Sequence, residues 1–394
     1  MPWKRLSHQL LLPELEMIGL PAQTRTWAHY QVCSSAKQAL CPRCPTLSSS
    51  IYDRRLCTVK DAPVRDQIVF LKIEKRRFWC KPCRKPFTEY IPGIKKGSRT
   101  TERFKKSVLW ACENFVDLER VQKAYRISAG YVFKTLYTRL EEKLKMRQYP
   151  WPSTIGVDEH SFRKNRKLRK TEFASVIIDY PNKRMFEVVE GKTQAEMHAA
   201  LDHIEGRENV KNAVIDMCDP FKNFIRAQFP NAKIIADKFH VLRLITPAIM
   251  KKRFEITGTR ADAKARRLLL CSSHKLDHWE RKAIWDYLGQ HPELQELYRW
   301  KERLHKFYRT RGYYRAHLAL RHMCDEMALS LIPAIKTLRK TLLKWREEIL
   351  NYFLTGLTNG RTEGYNNLAK LVQKRAFGYK SFRNYRLRLL SACA

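Results

Sequence analysis

The spacing of apolar residues changes twice along the chain. In the first hundred residues the clearest pattern is "QIVFLKIEKRRFWC" (Gln67–Cys80), which alternates apolar and polar residues as a strand with one buried face does. From Thr101 the period lengthens. Phe104, Val108, Trp110 and Ala111, then Leu118, Val121, Ala124 and Tyr125, recur at helical spacing. "RISAG" interrupts them, and Ser128 is placed to cap a further helix carrying Val132, Leu136 and Leu140. Two helices joined by so short a turn predict a helix-turn-helix, with Tyr131, Lys134, Thr135 and Arg139 on or near the exposed side of its second helix. "QYPWPS" (Gln148–Ser153), with two prolines, reads as a linker.

Past Ile155 strand patterns return. "TIGVDEHSF", "TEFASVIIDYP" and "KRMFEVVEGKT" predict an antiparallel meander with a turn at Pro181 and Asn182. "TQAEMHAALDHIEG" predicts a helix, and "NAVIDMCDP" a buried strand ending at Asp216. "PFKNFIRAQFP" follows as a helix with Pro220 at its start and Asp219 as its cap. "AKIIADKFHV" predicts a last buried strand, ending at Asp237. The order β-β-β-α-β-α-β, then helix, is that of a ribonuclease H-like α/β domain, a mixed sheet with helices on both faces. In that topology the first and fourth strands are neighbours, which brings Asp158 and Asp216 side by side. Two carboxylates so placed repel each other unless a cation lies between them. Magnesium or manganese suits oxygen ligands, and a pair of such ions supports phosphodiester chemistry.

Composition narrows the partner. Lys plus Arg number 77 against 39 Asp plus Glu, a formal net charge of +38. That imbalance favours a polyanion, with nucleic acid first. The basic residues are spread over the whole chain, which disfavours a membrane surface. No apolar run reaches transmembrane length, and no signal peptide is evident.

Eleven cysteines in such a chain point away from a disulfide framework. Four form two Cys-x-x-Cys pairs, Cys41 with Cys44 and Cys80 with Cys83. Each pair has zinc-knuckle spacing, and together they predict one four-sulfur zinc site on a zinc ribbon, with Cys57 or a nearby histidine as a possible substitute ligand.

Three blocks carry a resemblance: "IGVDEHSFRK", "VIDMCDPFKNFIRAQFPNAKIIADKFHVLRL" and "TNGRTEGYNNLAKLVQKRAFGYKSFRNYRLR". They resemble the signature blocks of the ISL-three family of bacterial insertion-sequence transposases, and the cysteine segment and helical pair resemble that family's N-terminal modules. The resemblance implies a DDE triad of Asp158, Asp216 and Glu363 on a ribonuclease H-like fold. Asp237, in "ADKFH", competes for the second place. Asp216 is preferred because it ends the strand expected beside that of Asp158, and Asp237 and His240 become candidates to support the ligands.

The expected organisation is a multidomain α+β chain. Residues 1–95 bind zinc, 100–150 form the helix-turn-helix, and 153–394 form the catalytic domain, interrupted by an all-helical insertion at about 245–357. Within that insertion "RTRGYYR" (Arg309–Arg315) is the leading candidate for an exposed DNA-contacting stretch, among many aromatics that are mostly core. On a helix through "TEGYNNLAKLVQKRA", Asn367, Lys370 and Lys374 lie within about 40° of Glu363 and are read as DNA contacts. The function this implies is a transposase that binds the terminal inverted repeats of its element and catalyses metal-dependent cleavage and strand transfer. It would work on double-stranded DNA of element ends and target, as a homo-oligomer of at least two copies, in the cytoplasm at the nucleoid. A non-catalytic zinc and helix-turn-helix regulator explains the charge and the cysteines but not the acids. A structure-selective nuclease explains the acids but not the N-terminal module.

Overall fold

A computed structural model of the chain describes residues 14–114, 117–165, 170–258 and 263–393. The expected zinc-binding segment also includes residues 1–13, which lie outside the described residues. The chain divides into two compact units, Met1–Glu142 and Lys143–Ala394.

The first unit is built on a sheet. Its strands are β1 (Leu15–Met17), β2 (Ala22–Gln23), β3 (Trp27–Ser34), β6 (Ile51–Val64), β7 (Gln67–Cys80) and β8 (Lys85–Thr88). A separate small hairpin pairs β4 (Ala39–Leu40) with β5 (Leu47–Ser48). The alternating run is the central strand β7, which buries Val69, Leu71 and Ile73 against Val32 and Val59. It pairs antiparallel with β6 and parallel with β3, a pairing that local patterns do not announce. Three helices follow: α1 (Glu102–Asn114), α2 (Leu118–Tyr125) and α3 (Ala129–Lys145). Asp117 caps α2 by accepting from the Arg120 amide at 2.8 Å, and the Ser128 hydroxyl accepts from the Tyr131 amide at 3.3 Å. Lys60 of β6 donates to the carbonyls of Tyr125 (2.6 Å) and Arg126 (2.9 Å), so a sheet lysine satisfies the C-terminus of α2.

The second unit is a five-stranded mixed sheet in the order β11-β10-β9-β12-β13. Strands β9 (Thr154–Asn165), β10 (Lys170–Asp179) and β11 (Arg184–Glu190) form the antiparallel meander. Helix α4 (Gln194–Leu201) starts from a capping box between Thr193 and Glu196. Strand β12 (Asn212–Ile215), helix α5 (Asp219–Gln228), strand β13 (Lys233–Ala236) and helix α6 (Lys238–Arg243) complete the pattern, with β12 parallel to both β9 and β13. Helices α7 (Thr246–Thr257), α8 (Ala263–Leu270), α9 (His278–Gly289), α10 (Pro292–Phe307), α11 (Tyr313–Ala328), α12 (Pro333–Lys344) and α13 (Arg346–Thr355) form a helical block. Then come α14 (Gly360–Arg375) and α15 (Phe382–Ala392).

The period of two sorts the sheet residues. Ile155, Val157, Ile177, Ala213 and Ile215 face one core, shared with α4, α5 and the helical block. Val176, Ile178, Val188, Val214 and Ile235 face a second core under α14 and α15. Asp158 is in step with Gly156 and Phe162, and Asp216 with Val214. Both acids therefore face the side that α14 covers. The two edge strands are closed. Asn351 of α13 donates to the Ile234 carbonyl of β13 at 2.9 Å. On β11, the Met185 amide donates to the Cys393 carbonyl at 2.9 Å and Glu187 pairs with Arg386 of α15.

Asp158 lies inside the twelve-residue β9, at the point where the shorter β12 stops pairing. One detail departs from the sequence reading. Asp219 is not a cap. The helix begins one residue earlier, with Cys218 in the cap position, so the Asp219 carboxylate projects outward to Lys344 at 2.5 Å. Among the described residues no helix is long and apolar enough to cross a membrane.

Candidate active site

The parallel ladder between β9 and β12 ends at the pair Val157 and Ile215, and the next residue on each strand is an acid. Asp158 and Asp216 lie within hydrogen-bonding reach of each other. Burial and the Asp216 carboxylate push the Asp158 carboxyl up to about 8.

Helix α14 is laid over the pair by its first two turns. Gly156 makes this possible, because a Cβ there would stand 2.4 Å from the Thr362 hydroxyl and 2.5 Å from the Tyr180 ring. Tyr180 donates to the Thr358 carbonyl at 2.8 Å and lies 3.2 Å from the Thr362 hydroxyl, fixing the helix start against β10. Two amides then reach the acids. Asn359 donates to Asp216 at 3.0 Å, and Asn366 donates to Asp158 at 2.6 Å. Glu363 lies four residues after the first and three before the second, so all three share one side of the helix. Glu363 is exposed, and its carboxylate has no hydrogen bond or ion pair among the described residues. Asn367, Lys370 and Lys374 are exposed along the same side.

Asp237 has a different environment. It caps α6, accepting from the His240 amide at 3.3 Å and the His240 ring at 3.0 Å, and its other oxygen accepts from the Asn359 amide at 3.0 Å. The far side of the His240 ring meets Asp216 at 3.0 Å. Bonds to Asp216 and Asp237 raise His240 to about 10, so an imidazolium bridges the two carboxylates. Asp216, Asp237 and His240 place three ligand atoms within 4.8 Å of one another.

Pattern reading gave Asp158, Asp216, Asp237, His240 and Glu363. It missed Asn359, Asn366 and Tyr180. A signal was present in "NGRTEGYNN", where amides flank the acid at helical offsets. Of the acids that precede α14 on α13, Glu348 is buried and paired with Lys222 at 2.5 Å and Arg226 at 3.2 Å, and Glu347 lies 3.9 Å from Arg226.

A family model described as a transposase, of the DDE ISL3 type, matches residues 155–389. The chain belongs to the ISL3 family of DDE transposases. Among curated relatives, the transposase of insertion sequence IS1001 from Bordetella parapertussis is 24 % identical over 375 residues, covering 91 % of this chain and 89 % of the relative. The transposase of IS1557 from Mycobacterium tuberculosis is 23 % identical over 348 residues, covering 79 % and 76 %. The protein is thus a DNA-cleaving and strand-transferring enzyme of a family that uses divalent metal.

The first unit of the transposase carries its own cluster. The Sγ atoms of Cys41, Cys44, Cys80 and Cys83 all lie within 4.8 Å of one another, with Cys44 and Cys80 at 3.3 Å. Cys41 and Cys44 sit in the β4–β5 hairpin, and Cys80 and Cys83 bracket the turn from β7 to β8. Phe78 and Phe87 pack beneath them. The Thr46 hydroxyl and the neighbouring thiols draw Cys44 down to about 6, while the same crowding pushes Cys83 up to about 12. Four sulfurs at tetrahedral-edge separations fit a structural zinc. Cys57 stands outside this group. On α3, Lys134 and Arg139 are exposed and Thr135 is half-buried. Tyr131, expected at the exposed side, turns inward: its hydroxyl lies 3.0 Å from that of Thr100 and its ring lies against Phe104. The cap at Ser128 sets Tyr131 in the first turn, on the side facing α1.

Proposed function

We propose that Asp158, Asp216 and Glu363 form the DDE triad of this transposase on a ribonuclease H-like fold. The observation that carries this reading is the joint placement of the acids. Two strands deliver the aspartates together, and the helix whose Asn359 and Asn366 bond those same aspartates carries Glu363 between the two amides in sequence, which supports the reading. Asp216 is favoured over Asp237 because it directly follows the last paired residue of β12 beside Asp158 on β9, whereas Asp237 caps α6. The donor set is hard oxygen, which fits two magnesium or manganese ions; when bound, these supply an activated water or hydroxyl and a stabilised leaving oxygen. Asn359 and Asn366 hold the two carboxylates in place, and Asp237 with His240 orients Asp216.

In the same reading the four cysteines hold one structural zinc, α2 and α3 act as a helix-turn-helix, and residues 1–150 recognise the terminal inverted repeats. The module boundaries are those the sequence suggests, with the catalytic part over 153–394. Lys134, Thr135 and Arg139 contact the element end, with Tyr131 supporting them from within. Asn367, Lys370 and Lys374 follow the phosphates away from the triad. Joining two ends calls for two active sites, hence at least a dimer, working on the DNA of the nucleoid.

Glu363→Gln tests the triad. It keeps size and hydrogen-bonding capacity but removes the charge. The variant is expected to fold, retain zinc and bind element ends normally, and to lose nicking and strand transfer by several orders of magnitude, as are Asp158→Asn and Asp216→Asn. Near-normal strand transfer by Glu363→Gln would refute the assignment.

A further inference from the structure

Helix α14 does not end at its cations. Its last residues lead to Phe377, which is 93 % exposed, more than any other large hydrophobic residue among those described. Phe377 also has φ +52°, in the left-handed region that a bulky side chain seldom occupies and that a helix end normally gives to glycine. The conformation is held by the backbone. The Phe377 amide donates to the Lys374 carbonyl at 3.1 Å and the Gly378 amide to the Gln373 carbonyl at 2.9 Å. The side chain of Gln373 anchors this turn to β9 through the Phe162 carbonyl at 2.9 Å. A singly exposed apolar ring is ordinary, but one held in a strained left-handed turn gains nothing from its own core, so the strain points to an outside partner.

The surroundings identify that partner. From Gly364 to Ala394 the sequence has seven lysines and arginines and no acid. Lys370, Lys374 and Arg375 are exposed beside Phe377. Glu363, Asn367, Lys370 and Lys374 lie in one strip along α14, and Phe377 continues it past the helix end. Fourteen residues at about 1.5 Å each put Phe377 about 21 Å from Glu363, or about six base-pair steps of duplex DNA.

We propose that Phe377 is a wedge that enters duplex DNA between two stacked base pairs, about six base pairs from the bond cut at the acid pair. The lysines hold the backbone along the strip, and the ring unstacks one step at its end and stacks on an exposed base. Bending the duplex there lets one DNA segment meet both the triad and the basic surface beyond it. The distance rests on the triad assigned above. The wedge itself does not need Glu363.

The test uses the full chain and duplexes carrying the element's end and its flank, with 2-aminopurine placed singly at each position out to ten base pairs on both sides of the cut. Fluorescence is read on binding, without a catalytic metal, for the wild type, Phe377→Gly, Phe377→Trp and Glu363→Gln. Glycine suits the backbone at this position, so Phe377→Gly should be at least as stable as the wild type. The expected result is a several-fold rise near the sixth position for the wild type, Phe377→Trp and Glu363→Gln, absent in Phe377→Gly, which still binds the end. An equal rise with Phe377→Gly, no rise at any position, or complete loss of end binding by Phe377→Gly would overturn the proposal. So would a Phe377→Gly protein that keeps the rise but changes oligomeric state, which would make the ring a contact for a second copy of the chain. If Glu363→Gln still cuts while the rise depends on Phe377, the triad reading fails and the wedge stands.

Discussion

Asn366→Ala isolates the contribution of α14 to the acid pair. The side chain is 5 % exposed and donates a 2.6 Å bond to Asp158. A hydrogen bond to a charged acceptor contributes about 1.5–3 kcal/mol. That bond is strongest when Asp158 is ionised, which is the form a metal ligand must take. In the metal-free protein the Asp158 carboxyl is held up at about 8 and is largely protonated, so the amide contributes less to stability there. The loss should therefore fall on metal binding and catalysis more than on folding. At 1.36 kcal/mol per decade the expected drop in cleavage at low metal is about ten- to a hundredfold. The assay is single-turnover nicking of an element end across a magnesium or manganese titration, with melting temperature and end affinity measured alongside. The half-saturating metal concentration should rise, and high metal should recover part of the rate. A residue that only packs would lower the melting temperature and leave the metal dependence unchanged. An unaltered metal titration with normal cleavage would refute the argument.

Other outcomes follow from the same geometry. Gly156→Ala forces a methyl group against Thr362 and Tyr180, so α14 must lift from the sheet; a stability loss of about 1–3 kcal/mol with impaired cleavage is expected by denaturant titration and nicking, and an unchanged midpoint would count against this docking. Cys80→Ser, or stripping of the metal with a strong chelator, should release one zinc per chain and abolish end recognition while the second unit stays folded; purified, chelator-free protein without zinc would contradict the four-sulfur site. Asp237→Asn should weaken cleavage less than Asp216→Asn, because it disturbs His240 and the start of α14 without removing a carboxylate of the pair; equal loss in both would argue for Asp237 as the second acid.

Periodicity made the second unit's sheet readable because each strand there is short, apolar and bounded by turn residues. The neighbouring of β9 and β12 followed from element order alone, and with it the meeting of Asp158 and Asp216. The parallel pairing of β3 with β7 was not readable, since nothing in Trp27–Ser34 or Gln67–Cys80 encodes a partner so far along the chain. Asn359 and Asn366 escaped notice for a related reason. An amide is as common at a helix start as in a site, and only the tertiary placement of α14 over Gly156 shows what these two bond. Asp219 was misread because a local cap rule cannot see Lys344. Of the aromatics in the helical block, Tyr298, Trp300, Phe307, Tyr308 and Trp345 are core, whereas Trp279 and Tyr314 are exposed, a division set by helix packing and not by residue type.

The order of the acids along the chain has a consequence for synthesis. Roughly 150 residues separate Asp216 from Glu363, and the whole helical block lies between them. At about 5–20 residues per second, a ribosome takes from several seconds to about half a minute to cross that interval. Throughout it the nascent chain has its cysteine cluster and both aspartates but neither Glu363 nor the two asparagines of α14. A product arrested anywhere in the block therefore has two acids and no third. On the triad proposed above, such a fragment keeps the cysteine cluster and the helices after it but lacks the third acid, so interrupted translation is expected to yield a product that does not cut DNA.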